Sequence, residues 1–255
     1  MPAVIRTFLS LETKTCAIVG NGASILRGRF GNAIDSHDVV VRFNNAPEGG
    51  PKLGAHIGHK TSYRVLNIMW TNRYGDGRLK CVPFQNICFH GGNFKNGTLV
   101  STRSPPFKCN RMRNRAEVLC QNPDVMRRGR VILYDFWDRL KCTPLKDLAT
   151  GRRITSSGLI SWMMFATLCK EVTMYGFGGP MKTHDAFVDR GANSKGSYKF
   201  FSGGRQDVYP GHNLAVELLL AHTFEAARVL QVCRPILGNT THNNQCGRKK
   251  PSRHN

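Results

Sequence analysis

A short apolar run over residues 15–20 closes on Gly20-Asn21-Gly22 and gives way to a segment able to open a helix at Ser24. No other feature constrains the fold so much, because strand, tight glycine turn and helix start in that order begin an α/β nucleotide-binding domain. Residues 38–43, 61–66 and 130–136 are further β-rich runs, separated by polar or Gly- and Pro-rich stretches. Residues 157–168 are apolar almost all round, which predicts a helix buried on most sides with Thr155 or Ser156 as its cap. Residues 171–178 predict a strand ending in glycines, and residues 212–232 predict a helix that His212 opens and that carries Glu217. Residues 70–125 show little periodicity and are expected to be irregular, shaping one side of the site. The tail after Cys233 is expected to be disordered.

At 255 residues and 40% apolar content, the chain can bury one substantial core, so a single domain is expected. Three segments follow: an N-terminal stretch 1–15, a catalytic-size domain 16–233 and a basic tail 234–255. The net charge of +21 draws polyanions, but the basic residues are scattered and only GRKKPSRHN forms a run. Zinc-finger spacing, RNA-recognition aromatics and a heptad-bearing basic region are all missing, so no specific nucleic-acid partner is expected. Nine cysteines without a CxxC pair point to disulfides rather than zinc, and the odd number leaves at least one thiol free or paired between chains. Two glycosylation triplets, at Asn96 and Asn239, are compatible with a secretory compartment. No stretch approaches the ~18 to 20 apolar residues that cross a bilayer.

Three places carry chemistry in their own right. Small residues at 20–24 let a ligand approach backbone amides at a helix start, where an anion is favoured. Ser156, Ser157 and Gly158 repeat the arrangement before the second helix. His212 supplies an imidazole, largely neutral yet basic near neutral pH. Asp35 and Asp38 read most simply as turn and capping residues. The sequence holds no Asp-x-Asp pair of the kind that clamps a metal on a nucleotide diphosphate.

Taken in order, CAIVGNGAS, IDSHDVVVRFN, SSGLISWMMFATLCKEVTMYGFG and PGHNLAVE resemble the motifs of the eukaryotic and viral sialyltransferase family, glycosyltransferase family 29. Cys16, Gly20, Asn21, Ile34, Asp35, His37, Asp38, Arg42, Asn44, Ala46 and Pro47 match its large motif, continued by Gly58, Lys60, Thr61 and Arg64. The resemblance implies a single Rossmann-like α/β domain with a mostly parallel central sheet flanked by helices, a variant GT-A-like fold. It implies CMP-sialic acid as donor, no cofactor and no metal, and a glycoprotein or glycolipid hydroxyl as acceptor. Asn21, Ser24 and Asn44 would contact the nucleotide. Ser156, Ser157 and Gly158, where Thr155 replaces the family's usual Pro, would bind the donor from the small motif. His212 would be the general base, and Glu217 would hold the local helix. Cys16 and Cys169 would form the disulfide that joins the large and small motifs. The third motif is represented by Tyr198-Lys199-Phe200-Phe201, closer to the variant of the β-galactoside α2,6 branch; its first His is absent, so Tyr198, and less directly Lys199, would meet the phosphate. Family members are usually Golgi proteins with an anchor and a stem; residues 1–15 match neither, so the expectation is a Golgi membrane or lumen protein that is either truncated at its start or an atypical soluble member. Two other readings remain open: a transferase of another CMP-linked acidic sugar such as Kdo, and a non-catalytic polyanion-binding module.

Overall fold

The computed structural model describes residues 11–75, 97–102, 109, 118–149, 153–177, 199–201, 212–234 and 246. Seven strands form one sheet: β1 (Thr15–Val19), β2 (Val39–Phe43), β3 (Tyr63–Leu66), β4 (Thr98–Ser101), β5 (Val118–Cys120), β6 (Glu171–Tyr175) and β7 (Gln231–Val232). Their order is β5-β4-β3-β2-β1-β6-β7, and every pairing is parallel. Among the described residues six α-helices accompany them: α1 (Gly31–Asp35), α2 (Gly54–Ile57), α3 (Ile68–Gly75), α4 (Pro123–Leu140), α5 (Ser157–Leu168) and α6 (Leu214–Ala226). The expected α/β architecture with a parallel central sheet is therefore present.

Both faces of the sheet are covered, as a parallel sheet requires. Alternate residues sort into two cores. Cys16, Ile18, Val39, Val41 and Phe43 face the side where Leu133, Trp137, Leu159, Trp162, Phe165 and Val216 of α4, α5 and α6 pack. Ala17, Val19 and Val40 face the other side, with Ile25, Phe30, Ile34 and Ile57. That two-sided burial explains why β1 is apolar after its first residue and why β2 is apolar except at Arg42.

Some expectations need correction. Residues 130–136 are not a strand but the middle of α4. Asn122 caps that helix through Asp124 N (2.9 Å) and Pro123 stands at its first position. Met126, Gly129, Leu133, Trp137 and Leu140 are buried at helical spacing, so the 3.6-residue period wins over the local β-branched content of Val131 and Ile132. Within 70–125, part of α3 and strands β4 and β5 are regular. The segment opening at Ser24 is a single 3-10 turn, Ala23–Arg27. The helix after His212 ends at Ala226 and is followed by β7, not continued to Val232. The tail is tied at one point, because Cys246 is bonded to Cys233.

The cysteines at 16 and 169 are bonded, with Cα atoms 6.2 Å apart. Register makes this possible: Thr15 pairs with Glu171, which brings the end of α5 beside the start of β1. A third disulfide joins Cys109 and Cys120. Among the described residues Cys142 is a free, exposed thiol.

Candidate active site

Strand order reverses at β1, which has β2 on one side and β6 on the other. In open α/β sheets the crevice outside the carboxyl ends at such a point receives the ligand. Two turns meet there. Gly20 N donates to Tyr175 O (2.7 Å) and Gly22 N to Gly176 O (3.0 Å). A Cβ on Gly20 would stand 2.6 Å from Gly176 O, and one on Gly22 2.7 Å from the same atom, so only glycine lets the two backbones touch. Gly176 itself has φ +70°.

Asn21 sits between those glycines. Its backbone carbonyl accepts from Phe200 N (3.2 Å), while its buried side-chain Oδ1 has no hydrogen-bond partner among the described residues. Ser24 is buried just beyond, in the 3-10 turn. Lys199 pairs antiparallel with Gly22. Phe200 turns into the core and is 6% exposed, and Phe201 packs beside it, ring centroids 5.0 Å apart; the Lys199 Nζ lies 6.0 Å from the Phe201 ring centroid. Burial lowers the Lys199 pKa. Tyr198 lies outside the described residues.

Asn44 follows β2 with φ 50°, in the left-handed region. Its Oδ1 accepts from Asn67 N at 2.9 Å. Asp35 and Asp38 behave as turn residues: Asp35 accepts from the backbone of His59 and Lys60, and Asp38 accepts from Thr15 N and Oγ1.

The start of α5 is held from two directions. Ser156 Oγ accepts from Leu159 N (2.9 Å), closing the cap. Ser156 N donates to Glu217 Oε1 (2.7 Å) and Ser156 Oγ to Glu217 Oε2 (2.5 Å). Glu217 is 6% exposed. Its carboxylate holds the first turn of α5, a different helix from its own, and negative charge is favoured at that end. The Ser156 hydroxyl is thereby engaged as both donor and acceptor within the protein. Thr155, where a Pro was expected, is fully buried and donates to Met126 Sδ (3.6 Å). Ser157 accepts at its carbonyl from Ser161 Oγ (2.7 Å).

His212 stands one residue before the α6 cap, Asn213, whose Oδ1 accepts from Val216 N (3.0 Å) and whose Nδ2 donates to Leu148 O (2.7 Å). The His212 Nδ1 lies 2.7 Å from Ile154 O. A carbonyl only accepts, so Nδ1 carries the hydrogen and Nε2 holds the lone pair of the neutral ring. His212 and Glu217 thus clasp the same three-residue segment, at Ile154 and Ser156.

Phe177 links this clasp to the glycine turns. A Cβ on Gly158 would meet its ring at 3.1 Å and one on Gly20 at 3.0 Å, and the ring stands edge-on to Phe43, centroids 6.1 Å apart. Sequence reasoning gave Phe177 no part beyond ending a strand. The only signal was one aromatic between glycines. Of the expected residues, Glu217 and Ser156 are directly bonded, His212 joins them through Ile154 two residues before Ser156, Gly158 and the Gly20–Asn21 turn meet through Phe177, and Asn44 follows the end of the neighbouring strand. Among the described residues no group of three or more His, Cys, Asp or Glu is placed to hold a metal.

A family model described as "Glycosyltransferase family 29 (sialyltransferase)" matches residues 3–190; His212 and Glu217 lie past that stretch. CMP-N-acetylneuraminate-beta-galactosamide-alpha-2,3-sialyltransferase 1 of Homo sapiens is 29% identical over 177 residues, 68% of this chain and 47% of the relative. Beta-galactoside alpha-2,6-sialyltransferase 2 of Danio rerio is 27% identical over 175 residues, 64% of this chain and 31% of the relative. The chain spans about half the length, or less, of the curated relatives it matches. A crystal structure of a mammalian sialyltransferase superposes with a TM-score of 0.51 at 17% identity, over 91% of this chain and 78% of that one. Its complex with Gal-beta-1-3GalNAc-ortho-nitrophenol gives 0.50 at 18% identity, with the same coverage. These two likenesses establish a shared fold.

Proposed function

The chain belongs to glycosyltransferase family 29, the sialyltransferases, and on that footing we propose that it moves sialic acid from CMP-sialic acid to a glycan hydroxyl with inversion, without a metal, and with His212 as general base. The observation that carries this reading is the 2.7 Å bond from His212 Nδ1 to Ile154 O, two residues before the cap of α5. That bond fixes the tautomer and leaves Nε2 as the basic atom. In the proposed step Nε2 takes the proton of the acceptor hydroxyl, the hydroxyl oxygen bonds to the anomeric carbon, and the bond from that carbon to the phosphate oxygen breaks with its electron pair leaving on CMP. The transition state has oxocarbenium character, as in other glycosyl transfers.

The donor nucleotide fits the crevice at the strand-order reversal, where Asn21 brings a buried carbonyl oxygen that no described residue satisfies. Cytidine offers an amino group to such an acceptor. CMP leaves with one phosphate, so the electrostatic demand is that of a monoanion or dianion rather than a diphosphate clamp. Lys199, paired with the glycine turn, joins Tyr198 as the group proposed to meet it. A desolvated ammonium stabilises developing negative charge more strongly than a solvated one. The three disulfides among the described residues support a secretory-pathway location, where an oxidising lumen maintains such bonds, and the Golgi is the proposed site within it.

The test is transfer from a panel of CMP-linked sugars, Kdo included, to galactose-terminated acceptors, with and without EDTA. Transfer of sialic acid that EDTA leaves unchanged is expected. The His212→Ala variant should lose transfer by a factor of at least about a hundred, the usual worth of a positioned base, while still binding CMP. Near-normal turnover in that variant would overturn the assignment of the base, and exclusive use of CMP-Kdo would overturn the donor.

A further inference from the structure

Two arginines are buried side by side on the floor of the sheet. Arg42 of β2 and Arg64 of β3 are register partners and are 0% and 1% exposed. Their strand neighbours Val41, Phe43, Tyr63 and Val65 face the opposite core, so both guanidiniums point to the same side. Placing two like charges together out of water is costly; burial first, then the neighbouring Arg64, pulls Arg42 down to about 10.

The bonds show what these side chains hold. Arg64 Nη1 donates to Asn44 O (3.0 Å) and Ala46 O (2.7 Å), and its Nη2 pairs with Glu48 at 3.2 Å. Arg42 Nη2 donates to Ile57 O (2.7 Å), and its Nε lies 3.1 Å from Lys60 O and 3.0 Å from Thr61 Oγ1. One arginine fastens the beginning of the segment 44–61, the other its end. Asn44 is the residue most constrained by this arrangement. It is a non-glycine residue at φ 50°, with its N–H on Val65 O (2.8 Å), its carbonyl on Arg64 and its Oδ1 on Asn67 N. With Oδ1 so engaged, the side chain offers its NH2 donors.

We infer that Arg64 is a positioning residue for the donor site: its guanidinium fork locks Asn44 in the left-handed conformation that presents the Asn44 amide to the nucleotide. The inference rests on the proposed function and specifies how one of its contacts is set. A lysine cannot reproduce the fork, because one planar group here reaches two carbonyls and a carboxylate at once.

The experiment is a double-mutant cycle on CMP affinity, measured by calorimetry, with Arg64→Lys, Asn44→Gly and both together. Glycine keeps the left-handed backbone and removes only the amide. Each single variant should bind CMP about tenfold more weakly, the worth of one hydrogen bond, and the double variant no more weakly than Asn44→Gly alone. The donor KM should rise in Arg64→Lys with the acceptor KM unchanged. Should Arg64→Lys fail to fold, Glu48→Ala, which removes the carboxylate partner of the fork, takes its place in the cycle and should show the same non-additivity. Fully additive losses, or a folded Arg64→Lys with unaltered CMP affinity, would overturn the inference. A native protein that does not bind CMP would instead remove the donor reading beneath it.

Discussion

Glu217 carries an obligation that its place in α6 conceals. Its carboxylate accepts both the N–H and the hydroxyl of Ser156, and hydrogen bonds to a buried charged group are worth about 1.5 to 3 kcal/mol. Glu217→Ala is expected to lower unfolding free energy by about 2 to 3 kcal/mol in denaturant titration, and to weaken CMP binding because the start of α5 loses its anchor. Glu217→Gln should keep most of the stability, since an amide oxygen still accepts from Ser156 N. A second residue gives a pH signature. Burial, then Arg234, hold the His222 pKa below its ordinary 6.5, against the pull of Glu225. The unfolded chain therefore takes up a proton first as pH falls through that value, and stability is lost in that direction. Thermal unfolding between roughly pH 7 and 5 should show a melting temperature that falls with acid, and His222→Gln should flatten the slope. At this scale much of the candidate site was legible: the imidazole at 212, the serines at 156 and 157 and the amides at 21 and 44 stood out by type and order. What those groups bond to was not. The carboxylate of Glu217 and the hydroxyl of Ser156 are 61 residues apart, and only the tertiary fold brings them within 2.5 Å. Ser156 was expected to serve the donor, yet its hydroxyl is already shared between Glu217 and Leu159 N.

Among elements, the glycine turn after β1 and the one after β6 act as a single unit. Adding a methyl at Gly20 would bring it 2.6 Å from a backbone oxygen that has no room to retreat without moving Gly176. Gly20→Ala is expected to cost about 1 to 3 kcal/mol, the usual toll of overpacking, and to abolish detectable CMP binding; calorimetric melting and CMP titration check the two parts. The strands leading into this unit were easy to read because they are buried on both faces and so are mostly apolar, Cys16 to Val19 in β1 and Val172, Met174 and Tyr175 in β6. Helix α4 was harder. Its apolar residues recur every three or four positions over 18 residues, a period that disappears when only the run VILYDF is considered. Strand β4 and strand β5 are four and three residues long, too short for alternation to rise above the polar sequence around them.

For the whole molecule, the disulfide from Cys16 to Cys169 spans 153 residues and joins the start of β1 to the end of α5. Closing so long a loop is worth roughly 4 to 5 kcal/mol in the chain-entropy account. Cys16→Ala with Cys169→Ala should therefore shift the denaturant midpoint strongly downward, and a thiol reductant should do the same to the native protein while having a smaller effect on the double variant, through its remaining bridges. The parallel sheet also ends in an unusual way at both margins. The outermost strands are the three residues of β5 and the two of β7, and a bridge grips each of them, at Cys120 and, next to β7, at Cys233. A lateral rail that short and that firmly pinned gives an incoming chain little to zip onto, so this architecture guards itself against edge-to-edge aggregation.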